Sequence, residues 1–310
     1  MKIYKPKFWD KKFSFFSIIF FPLSIVFIIF VFLKKKLTKP ISFKIPIICV
    51  GNIYIGGTGK TPTSILLANE FSKIGKKTTI IRKYYKNHED EYGMIRDNFK
   101  ELMINKNRID SLYKAEKNNF NMAILDDGLQ DYKIKKKANI VCFNSDQLIG
   151  NGFVLPSGPL RENLSSLKNS DIIIINGSTN KEFEKRILEI NSKLKIFYSN
   201  YKPINLQQFK NKKLLALAGI GNPNNFFKLL EENDLKIEKK IIFPDHYKFS
   251  KNEIKNILSE AKKFNLEVIM TEKDFFKINK FNLGTTGYLK VILEIKEIKK
   301  LISEIKKLYD

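Results

Sequence analysis

The stretch GNIYIGGTGKTP, Gly51–Pro62, has the residue types of an anion-binding turn, and it stands between the apolar run IPIICV and the helix-like TSILLANEFSKIG. Gly56, Gly57 and Gly59 allow backbone N–H groups to turn inward around phosphate oxygens. Lys60 supplies an ammonium for the outer phosphates, and the Thr61 hydroxyl is a hard oxygen suited to Mg²⁺. Pro62 falls in a first helical turn, where a missing N–H costs little. A strand before and a helix after are the setting in which such a loop holds a nucleotide, because the helix N-terminus adds partial positive charge. One position departs from the G-x-x-x-x-G-K-[ST] spacing: Tyr54 stands where the first glycine is usual. Membrane-associated regulatory ATPases of the deviant type carry a lysine just before the glycine pair, and Ile55 at that position argues against them.

Acidic residues follow at strand ends. MAILDDGLQD places Asp126 and Asp127 after a buried strand, where carboxylates can hold Mg²⁺ opposite the loop. GNGFVLPSGPLREN, residues 150–163, is rich in Gly and Pro and ends in Arg161 and Glu162. It can place a guanidinium on phosphate and a carboxylate near a metal. YYKNHEDEYG reads as a polar loop with His88, Glu89, Asp90 and Glu91. FPDHYKFS brings Asp245 and His246 just past a strand, and MTEKDFFK is more charged than a simple turn needs.

The elements that must position these residues are short apolar strands separated by amphipathic helices. Strands are expected at 45–50, 78–82, 122–126, 138–143 and 171–176. A second series runs through 213–219, 239–243, 267–271 and LKVILEI near the end. Such runs joined by helices predict a parallel sheet covered on both faces. The fold class expected is α/β, a P-loop NTPase-like parallel sheet flanked by helices, with a smaller C-terminal α/β domain. The domains expected are an N-terminal membrane-associated segment at 1–39, a P-loop nucleotide-binding domain at 40–205 and the smaller domain at 206–310. Phe13–Leu33 contains 21 residues without a charge, eight of them phenylalanine, with lysines on both sides. That is long enough to cross about 30 Å of hydrocarbon as a helix, but Pro22 would kink it, so a segment dipping into one leaflet rivals a full span. The run exceeds a signal-peptide h-region and lacks a small-residue cleavage site.

The formal charge is +24, yet five of the 56 basic residues are arginine and the lysines are scattered, which argues against sequence-specific nucleic-acid binding. A basic surface suits anionic lipid or an anionic substrate. Cys49 and Cys142 read as inert core thiols. Two histidines make a histidine-rich metal site improbable.

Together, VGNIYIGGTGKTP, DEYG, ILDDGLQD, GNGFVLPSGPLREN, LAGIGNPNNFF, FPDHYKF and TEKDFFK resemble, in order and through almost the whole chain, the tetraacyldisaccharide 4′-kinase family. That family's loop also lacks the first glycine. The resemblance implies an ATP- and Mg²⁺-dependent kinase at the cytoplasmic face of the inner membrane. Its acceptor would be the 4′-hydroxyl of an acylated glucosamine disaccharide 1-phosphate in lipid A biosynthesis, and it would need no nucleic acid and no obligate protein partner. Tyr54, Ile55, Gly56, Gly57, Thr58, Gly59, Lys60 and Thr61 then form the phosphate loop. Gln130 and Arg161 match polar residues near the phosphates, and Thr61, Asp126, Asp127 and Glu162 match groups around the metal. Asp90 matches the catalytic base and His246 its support from the second domain, with Lys60 stabilising the transferred phosphoryl. Closure would then bring the Asp90–His246 pair together. Three places depart from the family pattern: Asp131 replaces the usual histidine after DDG-x-Q, RKYYK replaces RGYG, and EDEY replaces GDEP. A membrane-associated NTPase acting as a regulatory switch is the alternative.

Overall fold

A computed structural model describes residues 5–86, 88–245, 247–281 and 287–309. Among these, the strands are β1 (Ile47–Gly51), β2 (Thr78–Lys83), β3 (Leu102–Asn105), β4 (Met122–Asp126), β5 (Ala138–Asn144), β6 (Ile172–Asn176), β7 (Lys195–Pro203), β8 (Lys213–Ala218), β9 (Lys236–Ile242), β10 (Glu267–Thr271), β11 (Gly287–Leu289) and β12 (Val291–Ile295). The helices are α1 (Phe15–Leu37), α2 (Lys60–Lys73), α3 (Glu89–Asn98), α4 (Arg108–Lys117), α5 (Lys181–Ile190), α6 (Pro223–Glu231), α7 (Lys251–Lys263), α8 (Glu272–Ile278) and α9 (Ile298–Lys306). The α/β class expected from the strand runs is the one found.

The first sheet has the order β12-β7-β6-β5-β1-β4-β2-β3. Its central pairs are parallel, with Val50 beside Asp126 and Arg82 beside Asp126 across β1-β4-β2. Chain order reverses on either side of β1, so the carboxyl ends of β1 and β4 open the crevice where ligands bind in such sheets. The apolar strands β1, β4, β5 and β6 are almost wholly buried, because helices and loops cover both faces. One face packs Val141, Phe143, Ile173 and Ile175 against Phe183 and Ile187 of α5; the other packs Cys49, Ala123 and Leu125 against Leu112 and Ala115 of α4. Each such Leu, Ile or Phe contributes roughly 1.5–3 kcal/mol on burial. Both cysteines are free and buried here, and burial pushes the Cys142 thiol up to about 12, so it stays protonated and unreactive.

The second sheet, β11-β10-β8-β9, is parallel throughout. Its α7 starts on a capping box in which Ser250 and Glu253 bond reciprocally, the signature SKNE carries in sequence.

The chain groups into two packed units, and the grouping differs from contiguous domains at 40–205 and 206–310. One unit holds Lys5–Tyr84, Phe99–Asn200 and the chain from Leu293; the other holds Tyr85–Asn98 and Tyr201–Ile292. Within the segment expected to be a polar loop at 84–93, Glu89 to Gly93 instead open α3, which packs on α8 in this second unit. Gly93 allows that approach: a Cβ there would lie 2.9 Å from the Phe276 ring. The spacing of Tyr92 and Ile95, both buried, carries the helical period that the dense charge of HEDE obscures. The run LKVILEI divides between β11 and β12, which belong to different sheets, and β3 and β7 carry no long apolar run. β3 is short, and β7, KIFYSNYKP, alternates polar residues because much of it is exposed.

Candidate functional site

The phosphate loop leaves the end of β1 and enters α2 with Lys60 at its first position. Gly59 takes φ +84° as the N-cap and Gly56 φ +127°, conformations that L side chains rarely adopt. The loop is braced from inside: Asn52 Nδ2 donates to Gly56 O at 3.2 Å and to Thr58 Oγ1 at 3.0 Å. Ile55 N–H donates to Pro159 O at 2.9 Å, and Arg161 N–H to Ile53 O at 2.7 Å. Tyr54 explains the absent glycine. Its ring is 1% exposed, it bridges Leu160, and its hydroxyl accepts from Lys5 Nζ at 3.1 Å. The Tyr54 side chain therefore supports the loop from the core, while its backbone stays part of the loop.

At the end of β4, Asp126 is fully buried and saturated. Its carboxylate accepts from Thr61 Oγ1 at 3.0 Å and Ser64 Oγ at 3.1 Å, and it forms a buried ion pair with Arg82, which also reaches Thr61 Oγ1 at 3.1 Å. Asp127 takes φ +55° and pairs with Arg161 Nη1 at 2.9 Å. Arg108 Nη2 donates to the backbone carbonyls of Asp127 at 2.7 Å and Asp126 at 3.3 Å. Asp131, standing where the family has histidine, lies 3.4 Å from Arg108 Nη1 and so steadies the same arginine. Gln130 Nε2 donates to Asn52 O at 3.1 Å and to Glu162 Oε1 at 2.8 Å, joining the first loop to the last.

The four expected metal groups are thus split. Thr61 and Asp126 adjoin, whereas Asp127 and Glu162 serve Arg161 and Gln130. Among the described residues no cluster of three or more His, Cys, Asp or Glu is placed to hold an ion. Buried Arg82 occupies Asp126, half-buried Arg161 occupies Asp127, and Gln130 holds Glu162. The Thr61–Asp126 pair is nonetheless a hard-oxygen set of the kind Mg²⁺ takes.

Electrostatics favour an incoming anion. Desolvation lowers the Lys60 ammonium below its ordinary value, Asp127 opposes this and Arg161 adds to it. Burial alone would raise the Asp127 carboxyl, but Lys60, Arg161, Arg82 and Arg108 hold it well below the usual carboxylate range. A depressed folded value contributes stability that is present above an unfolded value of about 3.9 and is lost as pH falls toward the folded one. The stability gap between wild type and Asp127→Asn should accordingly narrow as pH drops below about 4. Urea midpoints across pH measure it, and a gap independent of pH would refute it.

Arg82, Arg108, Ser64 and Asn52 carry much of this arrangement and were given no role from sequence. A signal for the arginines was present. In a chain that uses lysine almost everywhere, three of five arginines converge on Asp126 and Asp127, where a planar fork is needed.

In the other unit, Asp90 is 3% exposed on the first turn of α3. It groups with Tyr201–Ile292 rather than with the nucleotide loop. His246 itself lies outside the described residues. Its neighbour Asp245 accepts from Lys273 Nζ at 2.9 Å, and the same ammonium is 3.1 Å from Glu91 and 3.8 Å from Asp90.

A parallel sheet with a glycine loop, a lysine at the first position of the following helix and a buried hydroxyl–carboxylate pair at its switch point defines an α/β nucleotide-binding protein of the phosphate-loop class. Residues 16–309 match the family model described as tetraacyldisaccharide-1-P 4′-kinase, and the chain belongs to that family of kinases. Among similar proteins, the tetraacyldisaccharide 4′-kinase of Pelagibacter ubique (strain HTCC1062) is 42% identical over 312 residues, covering 99% of each chain. That of Francisella tularensis subsp. novicida (strain U112) is 34% identical over 307 residues, covering 88% of this chain and 94% of its own. The crystal structure of "apo" form LpxK from Aquifex aeolicus in complex with ATP has the same fold, with a TM-score of 0.70 at 20% identity, over 95% of this chain and 99% of that one.

Proposed function

We propose that the chain transfers the γ-phosphate of ATP to the 4′-hydroxyl of an acylated glucosamine disaccharide 1-phosphate, at the cytoplasmic face of the inner membrane. The observation that carries this reading is the joining of Lys60, Thr61–Asp126 and Arg161–Asp127 at one strand end in a chain of this family. Lys60 and the loop N–H groups hold the phosphates, and Arg161 spreads charge on the transferred group. Thr61, with Asp126 behind it, would hold Mg²⁺, which neutralises phosphate charge. Asp90 orients the sugar hydroxyl and accepts its proton, with His246 as its support. Transfer of label from ATP to a lipid disaccharide acceptor, without any protein partner, is the test. Nucleotide hydrolysis with no labelled lipid would favour the regulatory switch instead.

Helix α1 supports the membrane part of the proposal. It is long and apolar enough to cross a bilayer, yet its polarity is inverted. Phe15, Ile18, Ile25, Phe30 and Phe32 are exposed, while Ser17 and Ser24 are the buried positions among its described residues. Seven residues apart, those serines share one face. Ser24 Oγ donates to Val154 O at 2.8 Å and accepts from Ser157 N at 3.1 Å; Ser17 Oγ accepts from Asn151 Nδ2 at 3.1 Å. Near its end, Lys35 lies over the Tyr132 ring. A helix fastened along its length to its own folded unit lies on one leaflet rather than spanning two, with its apolar side to lipid. Its seat is the 150–163 loop that carries Arg161 and Glu162. Deleting residues 1–35 should therefore both release the enzyme from vesicles and weaken ATP binding about tenfold, an estimate for lost loop positioning. Flotation and nucleotide titration check the two parts, and unchanged ATP affinity would refute the second.

A further inference from the structure

The motif TEKDFFK is left unused by the donor site, and its charged residues surround the candidate base. Thr271 caps α8: its Oγ1 accepts from Asp274 N at 3.2 Å and donates to Asp274 Oδ2 at 2.7 Å. Asp274 is fully buried and also accepts from Gly219 N at 2.7 Å. So fixed, it holds Lys277, whose Nζ lies 3.0 Å from Asp274 Oδ1 and donates to Gly219 O at 3.1 Å. Lys277 and Lys273 are four residues apart and therefore share one helix face. Both point at α3, with Lys277 Nζ 3.5 Å and Lys273 Nζ 3.8 Å from the same oxygen, Asp90 Oδ2. Lys273 is held in turn by Glu91 at 3.1 Å and Asp245 at 2.9 Å.

A carboxylate as buried as Asp90 is costly unless cations face it. We infer that Lys277 and Lys273 are positioning residues for phosphoryl transfer, facing the buried Asp90 carboxylate with two ammonium groups and fixing its Oδ2, with Asp274 orienting Lys277 as the third member of the chain. This rests on the reading of Asp90 as the base.

The test measures kcat and KM of the full-length enzyme on vesicle-embedded acceptor for Lys277→Met, Lys277→Arg, Lys273→Met, Asp90→Asn and the double variant Asp90→Asn/Lys277→Met. The expected result is a fall in kcat of at least about tenfold for each methionine variant at unchanged KM for ATP, with partial recovery in Lys277→Arg. In the Asp90→Asn background Lys277→Met should cost nothing more, because a residue acting only through Asp90 has nothing left to position. Wild-type kcat in both methionine variants, or losses that multiply in the double variant, would overturn the inference. Lys273→Met, whose ammonium faces Glu91 and Asp245 where that of Lys277 faces the buried Asp274, keeps the test valid if melting shows that Lys277→Met fails to fold. If Asp90→Asn itself retains wild-type kcat, the base reading falls. If Asp90→Asn is inactive while both lysine variants are active, the positioning role alone falls.

Discussion

Lys60→Ala should lower kcat/KM for lipid phosphorylation by at least about 10³-fold, as loss of a preorganised charge at a reacting group does. Asp90→Ala should cost less, about 10²-fold, the lower end for general-base help. The ordering follows from the chemistry. In phosphoryl transfer positioning and charge neutralisation dominate, and the acceptor proton leaves late. The site is built accordingly: Lys60 opens α2 and is half-buried, so bound phosphate would gain an ammonium that has already given up part of its water. Asp127 opposes that desolvation. Steady-state kinetics on vesicle-embedded acceptor decide the matter, and comparable kcat values for the two variants would overturn the ordering.

Asp126→Ala should be the most destabilising substitution in the site, by about 3–5 kcal/mol, because it leaves Arg82 buried without its partner. Arg82 is 2% exposed and Asp126 0% exposed, so solvent cannot replace the lost interaction. Thr61 and Ser64 lose their acceptor as well. For a unit of this size such a loss lowers Tm by roughly 10 °C or more. The double variant Asp126→Ala/Arg82→Met should recover much of that stability while remaining inactive, since removing both charges removes the desolvation penalty along with the pair. Calorimetry on the two variants checks this. A double variant less stable than Asp126→Ala would show that Arg82 contributes through packing instead.

Much of the donor half was legible because its chemistry is local. Gly56–Thr61 must be contiguous for backbone N–H groups to surround one phosphate, and DDGLQD must follow a strand to stand opposite them. The apolar strands were legible for the same reason, since burial on both faces writes a continuous run. Arg82 and Arg108 were not assigned, because each meets Asp126 or its backbone only through sheet register and a helix packed from elsewhere in the chain.

The sequence by itself determined the nucleotide loop, the acidic strand end, the apolar N-terminal helix and, through their order, the family. Local residue types and short spacings suffice for each. Tertiary structure alone decided which carboxylates face arginine, that Tyr54 belongs to the core, that α1 is fastened by Ser17 and Ser24, and that Asp90 sits with Lys273 and Lys277. Those pairings join residues 23 (Arg108–Asp131) to 187 (Asp90–Lys277) positions apart, and burial selects among them. Only packing shows which partner each buried group has.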